Sequence, residues 1–299
     1  MRVGTRGSPL ALAQAGHVAG LLGAHPPTEL VTITTTGDRA GGEDKSRWVD
    51  TIERALLAGE IDLAVHSAKD VPGELAEGLS LLGAPARAAA EDVLCGAPSL
   101  ESLPAGARVG TSSVRRAAQL RAAREDLHVV AIGGNVDTRL RRLKDDGLDA
   151  IVLARAGLVR LGRENEVGAV LDPVRFVPAP GQGVLALEGR AGDARAEEAV
   201  AAIADADAFA CLLAERAVAR ELGASCHTPL GAHAMPAGCG CLNLRAWVGL
   251  PDGSAWVSDE LLGGFYDPGA LGRRVAARMR AAGAEELLRR AEELAVEHA

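Results

Sequence analysis

The 299-residue sequence predicts an α/β protein with two hinged lobes, followed by a small α+β domain. Short apolar runs alternate with helical periodicity through its first two-thirds, which indicates βαβ units and a largely parallel sheet in each lobe. Two stretches rich in Gly, Pro and Ala, at residues 83–91 and 177–190, indicate two crossings between the same two lobes. From about residue 206 the pattern changes to a helix, a β-hairpin and a closing helix or helix pair. We therefore expect three domains: residues 1–84 with 184–203, residues 89–178, and residues 206–299.

The composition argues against several classes of protein. A net charge of -8 argues against nucleic-acid binding, and no run of 18 apolar residues predicts a membrane span. The N-terminal residues MRVGTRGS enter a strand directly and lack the apolar core of a signal peptide. Five cysteines, an odd number in a chain of this length, indicate free thiols in a reducing compartment. We expect a cytoplasmic protein with no nucleic-acid or membrane partner.

The first lobe begins with a short strand over residues 2–5 and a helix. Ser8 suits the N-cap of this helix, and Pro9 suits its first position. Arg6 lies just before the helix, between it and the strand.

The stretch IDLAVHSAKDVP, residues 61–72, places a Lys–Asp pair directly after a buried strand. Its first half is apolar, and Pro72 prevents the strand from continuing as a central one. In open α/β sheets ligands bind at the carboxyl ends of strands, so Lys69 and Asp70 are well placed for chemistry. The alternative is that Asp70 is only a turn or cap residue, since Asp favours both positions.

Two helices of the second lobe begin with arginines. In GTSSVRRAAQL, Ser112 or Ser113 caps the helix, which puts Arg115 and Arg116 in its opening turn. In GGNVDTRLRRL, Arg139 lies near the start of the next helix. Helix N-termini carry partial positive charge, so cations there are unfavourable unless something compensates them.

Residues 108–144 hold nine Arg or Lys and three acidic residues in a protein that is acidic overall. The economical explanation is an anion that binds where arginines, serine hydroxyls and backbone N–H groups converge. The alternative, an outer helix face that is merely solvated, fits Arg121, Arg124 and Arg141 better.

Two further segments hold candidate site residues. Gln182 lies between two glycines in the second crossing, where it either offers its amide to a ligand or forms a plain turn. Cys226, in the loop ASCHTPLG, is either an inert small hydrophobe or a reactive thiolate beside His227. Cys239 and Cys241 add to a zinc alternative, but the spacing does not match paired-ligand motifs, so we expect no metal.

Seven segments together resemble the porphobilinogen deaminase family, whose members are also called hydroxymethylbilane synthases. They occur in the family's order from the first strand to the third domain: RVGTRGSPLALAQ, IDLAVHSAKDVP, VGTSSVRRAAQL, GNVDTRL, DAIVLARAGLVRLG, PAPGQGVLALE and ELGASCHTPLG.

The resemblance implies two periplasmic-binding-protein-like α/β domains, a small α+β C-terminal domain and a monomer. It implies a transferase of porphyrin and haem biosynthesis that joins four porphobilinogen molecules head to tail, with loss of ammonia, into the linear tetrapyrrole hydroxymethylbilane. Its dipyrromethane cofactor is bound through a thioether, here at Cys226. The family's catalytic aspartate corresponds to Asp70, which stabilises the cationic azafulvene formed when ammonia leaves.

The resemblance also implies two overlapping sets of binding residues, which contact carboxylate-bearing pyrroles in a cleft between the lobes. The cofactor set, besides Cys226, is Lys69, Ser113, Arg115, Arg116 and Arg139. The substrate set is Arg6, Ser8, Arg139, Arg160 and Gln182.

The sequence departs from the family pattern at Gly133, where an arginine commonly precedes the GNV segment. Arg155, where the family often has a small or apolar residue, is a candidate substitute. Two alternatives to the full enzyme stay open on the sequence. One is a non-catalytic bilobed anion-binding protein, and the other is a catalytically weakened relative that binds tetrapyrrole.

Overall fold

The computed structural model of the chain describes residues 1–23, 27–34, 46–224, 228–238 and 240–297. The helices are α1 (Pro9–Leu22), α2 (Ser46–Leu57), α3 (Val114–Ala123), α4 (Val136–Asp145), α5 (Arg155–Arg160), α6 (Ala194–Ala201), α7 (Ala206–Glu221), α8 (Pro268–Ala281) and α9 (Ala284–Glu297). The strands are β1 (Arg2–Arg6), β2 (Glu29–Ile33), β3 (Leu63–Ser67), β4 (Leu79–Gly83), β5 (Asp92–Cys95), β6 (Arg108–Gly110), β7 (His128–Val130), β8 (Ala150–Ala154), β9 (Ala169–Val170), β10 (Leu185–Arg190), β11 (Leu230–Pro236), β12 (Cys241–Gly249) and β13 (Trp256–Gly264).

These strands form three sheets, each with its own apolar core. The first has the order β2-β1-β3-β10-β4, the second β7-β6-β8-β5-β9, and the third β11-β12-β13. The cores consist mainly of Val, Leu, Ile and Ala, as the shortage of aromatic residues requires.

Both five-stranded sheets are mixed, but four strands of each run in the same direction, which confirms the prediction of largely parallel sheets. In the first sheet β1 is parallel to β2 and β3, whereas β10 is antiparallel to β3 and β4. In the second, β6 is parallel to β7 and β8, whereas β5 is antiparallel to β8 and β9. The antiparallel strands β5 and β10 are the ones that follow the two crossings. Because a short crossing joins the facing edges of two sheets, the next strand must run away from that edge.

The third sheet is antiparallel throughout and packs against α7, α8 and α9. Its hairpin β12–β13 is confirmed, with Gly249 paired to Trp256. The hairpin turn also touches the second lobe, since Arg121 Nη1 donates to the Pro251 carbonyl at 2.7 Å. Trp247 packs with Ala118 and Val177, which joins the third sheet to α3 and to the second crossing.

The described residues contain neither a membrane-spanning helix nor a metal-binding cluster. Their helices lack the combination of length and apolar character that crossing a membrane requires. No group of three or more His, Cys, Asp or Glu side chains among the described residues has the arrangement of a metal site.

Candidate active site

The Lys69–Asp70 pair lies on a short 3-10 turn at the carboxyl end of β3. This turn, Ala68–Asp70, buries Ala68 and leaves both charged residues half-buried. Ala68 N donates to the Val184 carbonyl at 3.0 Å, which ties the turn to the second crossing. The structure therefore places Asp70 at the edge of the first lobe that contacts the second crossing.

A guanidinium from the third domain holds the backbone that follows Asp70. Arg216 on α7 donates to the carbonyls of Val71 at 3.2 Å, Pro72 at 2.7 Å and Gly73 at 3.0 Å. Burial lowers the pKa of Arg216. The sequence analysis missed this residue, because its partners lie about 145 positions away and are backbone atoms.

The opening turn of α3 is anchored on a buried carboxylate, Asp92. Arg115 Nη1 lies 2.8 Å from Asp92 Oδ2, and Arg116 Nη2 lies 2.7 Å from Asp92 Oδ1. Burial opposes ionisation of this carboxyl, but the charges of Arg115 and Arg116 outweigh it and hold the pKa of Asp92 below its ordinary value. Asp92 is thus a counter-ion that the sequence analysis missed, and it compensates the two cations at the helix start.

Gln182 connects this anchor with the Lys69–Asp70 turn. Its Nε2 donates to Asp92 Oδ1 at 2.8 Å and to the Ala90 carbonyl at 2.6 Å. Its Oε1 accepts from Arg116 Nη2 at 3.4 Å and from Lys69 Nζ at 3.5 Å. The side chain is fully buried, so its amide joins cations of both lobes into one network.

The glycines beside Gln182 allow the two crossings to pack against each other. Gly183 has φ +86°, and a Cβ there would clash with the carbonyl oxygen of Ala88 in the first crossing. Arg87, also in the first crossing, donates to the Gln182 carbonyl from Nε at 3.0 Å. The same guanidinium pairs with Glu215 on α7, with Nη1 to Oε1 at 2.6 Å. Both crossings are therefore bound to the third domain as well as to each other, which the sequence analysis did not predict.

Two predicted residues are helix caps. Ser8 accepts from Ala11 N at 3.3 Å and caps α1. Of the two serines left open, Ser113 caps α3, accepting from Arg116 N at 3.4 Å.

Two further arginines lie beside the same edge. Arg139 Nε donates to the Gly134 carbonyl at 2.8 Å, at the start of α4. Arg6 is the last residue of β1, two residues before the Ser8 cap. The starts of α1, α4 and α5 meet here, since a Cβ on Gly157 would lie 3.8 Å from Val136 and 3.9 Å from Leu10.

Arg160, like Arg216, is half-buried and has no acidic partner among the described residues. Its Nη2 donates to the Gly183 carbonyl at 2.7 Å, and no carboxylate of the described residues lies within 4.0 Å of it. Burial lowers the pKa of Arg160 to about 10. A half-buried guanidinium without a counter-ion has the charge and the free donors to bind an anion.

The structure therefore brings Lys69, Arg116, Arg160 and Gln182 together along the facing edges of the two lobes, with Asp70 next to Lys69. Cys226, the predicted attachment residue, lies outside the described residues, as do its neighbour His227 and Cys239.

This fold and site define a class: a bilobed α/β protein with a third domain, whose lobes meet at an edge rich in cations. A family model described as "Porphobilinogen deaminase, dipyromethane cofactor binding domain" matches residues 1–198. A second, described as "Porphobilinogen deaminase, C-terminal domain", matches residues 209–281. The chain belongs to the porphobilinogen deaminase family.

Curated relatives match along nearly the whole chain. A porphobilinogen deaminase of Rubrobacter xylanophilus is 48% identical over 295 residues, which cover 96% of this chain and 95% of the relative. One of Deinococcus deserti is 45% identical over 307 residues, covering 97% and 98%. One of Thermus thermophilus is 45% identical over 292 residues, covering 96% and 97%.

Solved structures match about two-thirds of the chain. Immunogenic lipoprotein A from Vibrio vulnificus has a TM-score of 0.44 and 14% identity, covering 68% of this chain and 94% of that chain. A periplasmic substrate-binding protein of an ABC transporter from Coxiella burnetii has a TM-score of 0.43 and 17% identity, covering 68% and 91%. The two α/β domains and the small α+β domain of the predicted fold class are confirmed.

Proposed function

We propose that this chain is a hydroxymethylbilane synthase, a transferase that joins four porphobilinogen molecules head to tail with loss of ammonia to give hydroxymethylbilane. The observation that carries this proposal is the match to both family models, which together span residues 1–281 apart from 199–208. The site adds chemical support, because porphobilinogen carries acetate and propionate arms and the facing edges of the lobes hold cations. This assignment places the protein in porphyrin and haem biosynthesis.

The dipyrromethane cofactor of the family fits the residues present. Its carboxylate arms need cations, and Arg160 lacks an acidic partner while Arg115 Nε is a buried N–H with no hydrogen-bond acceptor among the described residues. When bound, the cofactor supplies the primer to which substrate units are added. We propose that it is attached to Cys226 and held by Lys69, Ser113, Arg115, Arg116 and Arg139.

The catalytic role falls to Asp70. Loss of ammonia leaves positive charge on the substrate, and a carboxylate fixed nearby stabilises that charge without reorganising. The 3-10 turn and the three carbonyls held by Arg216 fix the backbone on both sides of Asp70. Its carboxylate can also exchange protons with the substrate during each addition.

Substrate binding is proposed for Arg6, Ser8, Arg139, Arg160 and Gln182. For Gln182 we propose an indirect effect, because its buried amide already binds Lys69, Arg116 and Asp92. Arg160 is the strongest candidate for direct contact with a carboxylate arm.

The localisation, the oligomeric state and the domain boundaries are also proposals. We propose a cytoplasmic monomer with domains at residues 1–84 with 184–203, 89–178 and 206–299. Three separate sheets support the division, and the free thiols of Cys95 and Cys211 support a reducing compartment. Light scattering on a size-exclusion column tests the monomer, where a dimer mass would contradict it.

Intact mass spectrometry tests the function most directly. Protein made in a host that synthesises tetrapyrroles should be heavier than its sequence by one dipyrromethane, and Cys226→Ser should lack that mass. Cys241→Ser is the control and should keep it. An unmodified Cys226 would contradict the proposal, as would a single-turnover assay in which the loaded protein releases no ammonia from porphobilinogen.

A further inference from the structure

Arg155 stands at the edge between the lobes without a role in the proposed mechanism. It is the first residue of α5 and directly follows β8, whose last residue, Ala154, is paired with Asp92. Its backbone N donates to the Glu91 carbonyl at 3.0 Å. Arg155 is therefore fixed beside the buried anchor of α3.

The side chain of Arg155 is held only loosely. Its Nη1 lies 3.6 Å from Glu91 Oε1, which is longer than a hydrogen bond, and 39% of the side chain is exposed. A half-exposed ion pair without a hydrogen bond contributes little to stability. The guanidinium is therefore able to bind another carboxylate without disturbing the fold.

Glu91 is an unusual partner for it. Its Oε2 is buried and has no hydrogen-bond donor among the described residues. The flanking residues, Ala90 and Asp92, both bind Gln182. Glu91 thus lies between two residues of the network that joins Lys69 to Arg116. Arg155 follows Ala154, the strand partner of Asp92 in that network.

The start of α5 lies where the two lobes meet. Gly157, two residues after Arg155, lies beside Leu10 of the first lobe and Val136 at the start of α4. Gly133, just before α4, has no atom of the described residues within 4 Å of where its Cβ would be. A ligand bound at this meeting of the lobes would therefore lie near the helix that begins at Arg155.

We propose that Arg155 binds a carboxylate arm of porphobilinogen or of the growing chain, and that Glu91 competes with this carboxylate for the guanidinium. This inference rests on the proposed function, since it concerns the same cleft and the same substrate. It assigns a specificity-determining contact to a residue outside both predicted binding sets.

Steady-state kinetics with porphobilinogen test the proposal on the holoprotein. Arg155→Gln should raise KM about tenfold, as expected for the loss of a charge-assisted hydrogen bond, with kcat within about threefold of the wild type. Arg155→Lys should recover part of the loss. The control is Arg142→Gln on α4, because Arg142 has a similar exposure of 37% and pairs with Asp146 at the far end of that helix.

Glu91→Gln sharpens the test. Removing the competitor should lower KM about two- to threefold when Arg155 is present and leave it unchanged in the Arg155→Gln background. The thermal midpoints of all variants should stay close to that of the wild type.

The outcomes separate the inference from the proposed function. A wild type that does not turn over porphobilinogen would overturn both. An active wild type whose KM is unchanged by Arg155→Gln would overturn the inference alone. Equal rises of KM in Arg155→Gln and Glu91→Gln would also overturn it, since the pair would then act as a structural unit.

Discussion

Two aspartates at the facing edges of the lobes have opposite environments. Asp92 starts β5 in the second lobe, is 1% exposed and binds two arginines and the amide of Gln182. Asp70 ends the 3-10 turn in the first lobe and is half-buried. A buried carboxylate that is fully hydrogen-bonded orients its partners, whereas an accessible one can act on a ligand. The comparison indicates a structural role for Asp92 and agrees with the chemical role that we propose for Asp70.

The largest effect expected from this comparison is on stability. Asp92→Asn keeps the shape of the side chain but leaves two buried guanidinium groups without a counter-ion, so the free energy of unfolding should fall by about 3–5 kcal/mol. Urea unfolding measures it. The control is Asp126→Asn, which removes the surface partner of Arg124 and should barely move the midpoint. A similar small change in both variants would contradict the structural role of Asp92.

The difference in the free energy of unfolding between the wild type and Asp92→Asn should depend on pH, because the pKa of Asp92 is lowered in the folded protein. The folded-state pKa lies below the unfolded value of about 3.9, so the stabilisation is complete above that value and is lost as pH falls through the folded-state pKa. The difference between wild type and Asp92→Asn should therefore stay constant from about pH 7 to 5 and shrink only below about pH 4. Urea unfolding at several pH values tests it. A difference that stays constant below about pH 4 as well would show that Asp92 has an ordinary pKa, because equal pKa values in the folded and unfolded states give no pH dependence.

Asp70 should give the reverse pattern, with a large effect on activity and little on stability. Asp70→Ala should lower kcat by about 10²–10³-fold, as expected for loss of one fixed electrostatic group, while the urea midpoint stays near that of the wild type. Asp146→Ala, a half-exposed aspartate at the end of α4, is the matched control. Activity within about tenfold of the wild type, or roughly 1.4 kcal/mol, would exclude the electrostatic role.

The site residues that local sequence predicts are those whose partners are near in the chain. Pro72 and the apolar run before His66 located the Lys69–Asp70 turn, and cap preferences located Ser8 and Ser113. Each of these features depends on a few neighbouring residues.

The residues that the sequence analysis missed have distant partners. Asp92 lies 23 positions from Arg115, and Arg87 lies 128 positions from Glu215. The arginines at the start of α3 predict an anion beside them. No local sequence pattern shows that Asp92, a residue of the protein itself, is one of the anions that compensate their charge. The direction of β10 and β5, the strands that follow the crossings, could not be predicted for the same reason, because it depends on which sheet edges face each other.

The smallest effect on stability is expected at the start of α4, in the same lobe as α3. Among the described residues, no buried carboxylate anchors this helix start. Its geometry depends on Gly134, which has φ +99° and whose Cβ would lie 2.7 Å from Thr138 Cγ2. Gly134→Ala should therefore lower the free energy of unfolding by about 1–3 kcal/mol. It should also weaken binding through Arg139, which donates to the Gly134 carbonyl.

Gly133→Ala is the control, because Gly133 has no positive φ and no atom of the described residues near the place of a Cβ. This variant should stay within about 0.5 kcal/mol of the wild type. Urea unfolding of the two variants, with KM for porphobilinogen, separates backbone strain from side-chain volume. If both alanines were equally tolerated, the helix start would not need the left-handed conformation at Gly134. The proposed difference between the two helices would then be wrong, because the start of α4 would not depend on the conformation of Gly134 as the start of α3 depends on Asp92.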